Sequence, residues 1–178
     1  MRILIFNGVN SKKPNTASCI SGFFESVLLE MGVEVVIFNV SDHPIPIFSE
    51  DQIYPSQPVK EMVDMFQSSN MHIWLSPLYH GGMTGAMKNC LDWLVLGSSD
   101  QEPYLSNTRV GLVCWGYGGN SASGIDNMRT VANTLRAWTL PYAVPIVMET
   151  FYEQGTTEIT QSYKERFERM IYLLLASQ

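Results

Sequence analysis

The sequence predicts an open, three-layer α/β domain: a doubly wound sheet of five parallel strands in the order 2-1-3-4-5, with helices on both faces. Three observations predict it. Strand-sized apolar runs alternate with helical patterns five times along the 178 residues. Most of the runs are β-branched or aromatic-rich and nearly continuously apolar, as strands covered on both faces are. No hairpin signal separates successive runs, so each connection is a helical crossover.

The elements follow in order. Arg2–Asn7 is the first strand, and the N-terminus lacks the length and small-residue cleavage site of a signal peptide. Thr16–Met31 is the first helix, with Gly32 placed to stop it. Glu34–Asn39 is the second strand. The connection Asp42–Pro58 holds Pro44, Pro46, Pro55 and Pro58 and is too long for a minimal turn. Loops of this kind carry function about as often as they merely cross the surface. Val59–Ser68 is helical, and Met71–Ser76 is the third strand, ended by Pro77, which lacks a donor and fixes φ. In the next helix, Thr84–Leu96, Met87, Cys90, Leu91 and Leu94 form the core stripe, while Lys88 and Asp92 pair at i, i+4 on the surface. Arg109–Trp115 is the fourth strand, Ser123–Trp138 a helix and Tyr142–Met148 the fifth strand. In the last helix, Glu158–Ala176, Phe167, Met170, Ile171 and Leu174 fall on one apolar face. No repeat, low-complexity tract or linker interrupts this pattern, so residues 1–178 are expected to form one domain.

Composition narrows the function classes. Hydrophobic residues make up 46% and charged residues 16%, too apolar for a disordered chain. The apolar runs are strand-sized, so no membrane span is expected. Cys19, Cys90 and Cys114 are widely spaced among apolar neighbours, which fits neither a zinc site nor a disulfide framework. An odd count argues against secretion, and buried thiols in a reducing cytoplasm are expected. The net charge of −6 argues against nucleic-acid binding. An anionic cofactor remains compatible, because Arg2, Lys12 and Lys13 precede the first acidic residue, Glu25.

Three loops carry candidate chemistry. The first, Asn7-Gly8-Val9-Asn10-Ser11-Lys12-Lys13-Pro14-Asn15-Thr16, joins a strand to a helix N-terminus. Such an end offers unpaired N–H groups and partial positive charge to a phosphate. Ser11, Asn15 and Thr16 can add side-chain donors, and a lysine adds charge. The bland alternative is a capped solvent turn with exposed lysines. Neither G-x-x-x-x-G-K-[ST] nor G-x-G-x-x-G is present, which excludes a nucleoside triphosphate loop and disfavours a Rossmann dinucleotide site. The second loop, Ser76 to Gly85, follows the third strand. Gly81, Gly82 and Gly85 permit positive φ and close approach of backbone to a flat ligand, Tyr79 offers an aromatic face, and His80 a donor or acceptor. The third, Trp115 to Gly124, follows the fourth strand with Gly116, Gly118 and Gly119, and its Trp115 and Tyr117 add stacking surface. In a doubly wound sheet the loops after strands one, three and four meet on one edge, where ligands bind.

Pro77-Leu78-Tyr79, followed by Gly85-Ala86-Met87-Lys88-Asn89-Cys90-Leu91-Asp92-Trp93-Leu94, resembles the P-x-Y…G-x-L-K-N-x-x-D-W-L signature of the NADPH-dependent FMN reductase family, with Met87 in place of leucine. The segment Pro44–Asp51 is similar to that family's proline-rich stretch after the second strand. The resemblance implies a flavodoxin-like fold, one FMN per subunit, and a homodimer or homotetramer with the flavin beside the subunit interface. By position it implies Ser11, Lys13, Asn15 and Thr16 at the phosphate. It also implies Pro77, Leu78, Tyr79, His80, Gly81 and Gly82 along the isoalloxazine edge, and Gly116, Tyr117, Gly118 and Gly119 completing the site. Two features depart from the family pattern. The first loop lacks the arginine and both serines of G-S-x-R-x-x-S-x-N at matching places, with Lys13 implied to carry the positive charge. The family often has asparagine where this chain has His80.

The function implied is hydride transfer from NADPH or NADH to bound FMN, then electron transfer to a small acceptor such as a flavin or quinone. The flavin would carry the chemistry, so no catalytic acid or base is assigned. A flavodoxin-type electron carrier is the alternative: the acidic charge suits it, but the first loop lacks the T-x-T-G-x-T pattern and the Lys88–Asp92–Trp93 helix favours a reductase. A flavin-free binding protein on the same fold is a third reading, because fold does not fix function.

Overall fold

The computed structural model describes residues 1–51, 54–98, 101 and 103–176. Gln52 and Ile53 of the proline-rich connection, and the last two residues of the expected domain, lie outside the described residues. Among the described residues, six strands form one parallel sheet: β1 (Arg2–Asn7), β2 (Glu34–Asn39), β3 (Met71–Pro77), β4 (Arg109–Gly116), β5 (Trp138–Thr139) and β6 (Val144–Val147). Their order is β2-β1-β3-β4-β5, with β6 also paired to β4. The expected order therefore stands, but the fifth position is shared by two short strands. β5 pairs with the start of β4 and β6 with its end. Pro141 lies in the break between them, and Pro145 within β6 has no N–H for a ladder, which an edge position tolerates.

Five α-helices of the described residues, α1 (Thr16–Glu30), α2 (Gln57–Gln67), α3 (Gly85–Asp92), α4 (Ser121–Thr134) and α5 (Gln161–Ala176), cover the sheet. Because strand side chains alternate faces, Ile3 and Ile5 bury against α1 and α5, while Leu4 and Phe6 bury against α2, α3 and α4. Phe6 packs edge-on against Phe66 of α2, with ring centroids 4.9 Å apart, and Phe24 of α1 meets Phe167 of α5 at 5.0 Å. No described helix is long and apolar enough to cross a membrane.

Helix ends show what the sequence signals captured. At the end of α1, Gly32 takes φ +72°, and Val33 N–H bonds Leu28 O while Gly32 N–H bonds Leu29 O. This pair of bonds is the Schellman closure that glycine announces. α4 ends the same way without a glycine. Arg136 takes φ +64°, Ala137 N–H bonds Ala132 O, and Arg136 N–H bonds Asn133 O. The expected helix to Trp138 therefore stops at Thr134, and Trp138 opens β5. The expected helix Thr84–Leu96 is likewise shorter, passing from α3 into a 3-10 turn over Trp93–Gly97. The last helix begins at Gln161, three residues later than expected. Residues 150–160 instead fold back through a Tyr152–Ile159 bridge.

Candidate functional site

The loop after β1 is built around two asparagines. Asn7, the last residue of β1, is buried; its amide donates to Asn39 Oδ1 at 3.0 Å and its Oδ1 accepts from Val9 N–H at 3.0 Å. Asn39 in turn donates to Asp42 Oδ2 at 2.9 Å, so the ends of β1 and β2 are tied by side chains. Sequence reasoning missed this pair; the available signal was an asparagine ending each of two adjacent strands. Asn15 is the N-cap of α1. Its Oδ1 accepts from Ala17 N–H at 2.9 Å and Ser18 N–H at 3.3 Å, and its amide donates to Lys13 O at 2.8 Å. Asn15 thus folds the loop and satisfies two of the helix's unpaired donors. Ser11 Oγ accepts from Lys13 N–H at 3.3 Å, and Ser11, Lys12 and Lys13 are exposed. Thr16, the first helical residue, is half-buried, and its Oγ1 accepts from the Tyr152 hydroxyl at 3.2 Å.

The loop after β3 is a two-residue reversal. Tyr79 and Gly82 exchange backbone hydrogen bonds of 2.9 and 3.1 Å, with His80 at φ +50° and Gly81 at φ +90° between them. Two successive positive φ values are what a type I′ turn requires, and Asn-Gly is its favoured pair. Histidine meets this demand at the first position, being among the few residues enriched at positive φ. Pro77 is buried inside the sheet, and Leu78 N–H bonds Trp115 O at 2.7 Å, so these two belong to the scaffold. Tyr79 is 60% exposed. Behind the turn, Thr84 Oγ1 donates to Gly8 O at 2.6 Å and accepts from Met87 N–H at 3.0 Å, capping α3 while joining the first and second loops. Gly8 is required there: a Cβ would lie 2.8 Å from Met87 Cβ.

In the third loop Tyr117 is 79% exposed and Gly118 takes φ +66°. Gly118 N–H donates to Glu149 Oε1 at 3.1 Å, from the segment after β6. A Cβ on Gly81, Gly118 or Gly119 would meet nothing within 4 Å, so these backbones face open space. The loops after β1, β3 and β4 do converge on the carboxyl edge of the sheet, and the segment after β6 joins them there.

A half-open pocket of about 630 Å³ lies toward β2, between Asn10 and Lys12 of the first loop, residues 40–47, and the start of α3. It contains none of the Ser76–Gly82 or Gly116–Gly119 residues. The proline-rich segment forming its outer wall is held by the helix motif. Asn89 donates to Pro46 O and accepts from Phe48 N–H, each at 2.8 Å, and Trp93 Nε1 donates to Pro46 O at 2.8 Å. Lys88 and Asp92 form an ion pair on the outer face of α3. Cys90 and Cys114 are buried, and burial pushes both thiols up to about 12, which removes them as nucleophiles at neutral pH.

Residues 1–150 match the family model of the NADPH-dependent FMN reductases. The chain belongs to that family. Among its relatives, the NADPH-dependent FMN reductase ArsH of Acidithiobacillus ferrooxidans is 29% identical over 140 residues, covering 79% of this chain and 57% of that protein. The protein of the same name from Rhizobium meliloti is 34% identical over 116 residues, covering 64% of this chain and 46% of that one. The chain thus spans about half the length of the curated relatives it matches. The structure of FerB from Paracoccus denitrificans, an NAD(P)H:(acceptor) oxidoreductase, superposes with a TM-score of 0.76 at 13% identity, over 97% of this chain and 94% of that one, a likeness of fold. The Asn89 and Trp93 bonds supply a structural reason for two letters of the family signature: they clamp the proline-rich segment to α3.

Proposed function

We propose that this member of the FMN reductase family is an NAD(P)H-dependent oxidoreductase of one domain that binds FMN at the carboxyl edge of its sheet. The single observation that carries the reading is the meeting of three loops on that edge, each supplying what one part of FMN needs. The donor set fits the group. Hydroxyls of Ser11 and Thr16, the Lys13 ammonium and the positive end of the α1 dipole suit a phosphomonoester, with Asn15, whose Oδ1 occupies the Ala17 and Ser18 N–H groups, holding the loop that presents them. Exposed faces of Tyr79 and Tyr117, beside backbone open to space at Gly81, Gly118 and Gly119, suit a flat ring system. In this reading Pro77 and Leu78 set the register of the wall, and His80 and Gly82 shape its turn. Gly116 lets the third loop approach Leu78, whose Cβ would lie 3.2 Å from an added Cβ.

Bound FMN supplies the hydride-accepting ring, and the chain supplies binding, orientation and electrostatics. The backbone walls fix the ring plane, while the tyrosines exclude water from its edge. NADPH or NADH would donate, and a flavin, quinone or similar small molecule would accept. Assembly into a homodimer or homotetramer suits the exposed tyrosines. The three free thiols suit a reducing cytoplasm. The test is to add FMN to the purified protein and reduce it anaerobically with each nicotinamide cofactor. Bound flavin that bleaches with NADPH or NADH is expected. Flavin that binds but stays oxidised with both would instead indicate an electron carrier, and a chain that takes up no FMN would overturn the reading.

A further inference from the structure

The segment after β6 touches two of the three loops of the proposed site, although nothing in its sequence marks it. Glu149 accepts from Gly118 N–H, and three residues later the Tyr152 hydroxyl donates to Thr16 Oγ1 at 3.2 Å across 136 positions of chain. The segment is itself firmly held. Phe151 is fully buried and meets Tyr163 edge-on at 5.4 Å. Thr160 N–H bonds Phe151 O at 3.0 Å, Glu153 N–H bonds Glu158 O at 2.8 Å, and Tyr152 bridges to Ile159. The backbone that carries Tyr152 is therefore anchored beside the buried Phe151.

We propose that Met148–Tyr152 is a strap that positions the flavin site, and that Tyr152 is the positioning residue for the phosphate of FMN, acting through Thr16. A threonine hydroxyl has two lone pairs and one proton. When Tyr152 donates to Thr16 Oγ1, the oxygen is held in place and its own proton is left to donate to a phosphate oxygen. A hydroxyl that accepts one hydrogen bond also becomes a stronger donor in the next. Burial is the first cause that raises the Tyr152 pKa above the ordinary tyrosine range, and Cys19 lies against the same hydroxyl. Tyr152 therefore keeps its proton at neutral pH, although the Thr16 contact acts to lower its pKa, and has that proton to donate to Thr16 Oγ1. The inference rests on the proposed placement of the phosphate at the first loop.

FMN and riboflavin differ by that phosphate, so together they test it. Titrating each flavin into the wild type and into Tyr152→Phe, with flavin fluorescence as the readout, separates a phosphate effect from general loosening. Tyr152→Phe keeps the ring that packs against Phe151. The dissociation constant for FMN is expected to rise about five- to tenfold, the loss of one hydrogen bond, while that for riboflavin changes less than twofold. Thr16→Val should weaken FMN at least as much, and Tyr152→Phe combined with Thr16→Val should be no worse than Thr16→Val alone. Equal weakening of both flavins, no weakening, or additive losses in the double variant would overturn the relay. A wild type that binds FMN no better than riboflavin removes the phosphate from the first loop, and with it the relay. A wild type that binds neither flavin overturns the functional reading itself.

Discussion

At the scale of single residues, the side chains that organise the site are those that make several bonds at once, and the clearest is Thr84. It is buried, it closes the first turn of α3 on Met87 N–H, and it donates to the carbonyl of Gly8. Thr84→Val keeps shape and volume but leaves that carbonyl and the Met87 N–H unpaired in a buried place. The expected cost is about 1–3 kcal/mol in urea unfolding, with Thr84→Ser recovering most of it. A valine variant as stable as the wild type, or a serine variant that alone loses stability, would show that the methyl group, not the hydroxyl, matters at this position. His80 illustrates the opposite case. Its φ of +50° gives it a backbone task in a two-residue turn, whatever its side chain meets. A loop histidine reads as chemistry in sequence because its φ is not visible there. Tyr152 was invisible for a related reason: its partner, Thr16, lies at the other end of the chain.

At the scale of elements, α3 carries the family signature, and its letters divide into two jobs. Asn89 and Trp93 point inward and grip the backbone of Pro46 and Phe48, whereas Lys88 and Asp92 pair on the outer face. Asn89→Ala should release the proline-rich segment, seen as faster protease cutting between Pro44 and Asp51 and a stability loss of about 1–3 kcal/mol. Asp92→Asn breaks only a surface pair, so it should change monomer stability by less than about 0.5 kcal/mol. If Asp92→Asn instead dissociates an oligomer, the pair belongs to a subunit contact. The elements themselves were largely legible, because continuous apolar runs and 3.6-residue stripes follow directly from burial. Their ends were legible only where a residue with a distinct backbone preference marks them. Gly32 announced the end of α1, while Arg136 closes α4 with no such signal. The split fifth strand was hidden because β5 is only two residues long and Trp138 reads as the end of the preceding helix.

At the scale of the whole molecule, the sheet order places three separately weak loops on one edge, which is why their convergence could be anticipated from strand count alone. The 630 Å³ volume toward β2 could not, since it depends on how residues 40–47 fold back over α3. The sheet's integrity also depends on one buried titratable group. His72 lies fully buried in the central strand β3; its Nε2–H donates to Phe66 O at 3.0 Å, and Nδ1 accepts from Trp74 Nε1 at 3.4 Å. Both ring nitrogens are thus used by the neutral form, and a proton on Nδ1 would face another donor. Burial lowers the pKa from 6.5 to about 4, against smaller opposing contributions from backbone hydrogen bonds. Between these values the unfolded chain binds a proton that the folded chain does not. Stability is therefore fully present above pH 6.5 and is lost as the pH falls toward 4. The slope approaches about 1.4 kcal/mol per pH unit, so about 2 kcal/mol should disappear between pH 8 and pH 5. His72→Gln cannot titrate, and its urea midpoint should move far less over the same interval. If wild type and variant lose stability in parallel, the acid sensitivity lies in the carboxylates, and the core of β3 does not set the lower pH limit of the fold.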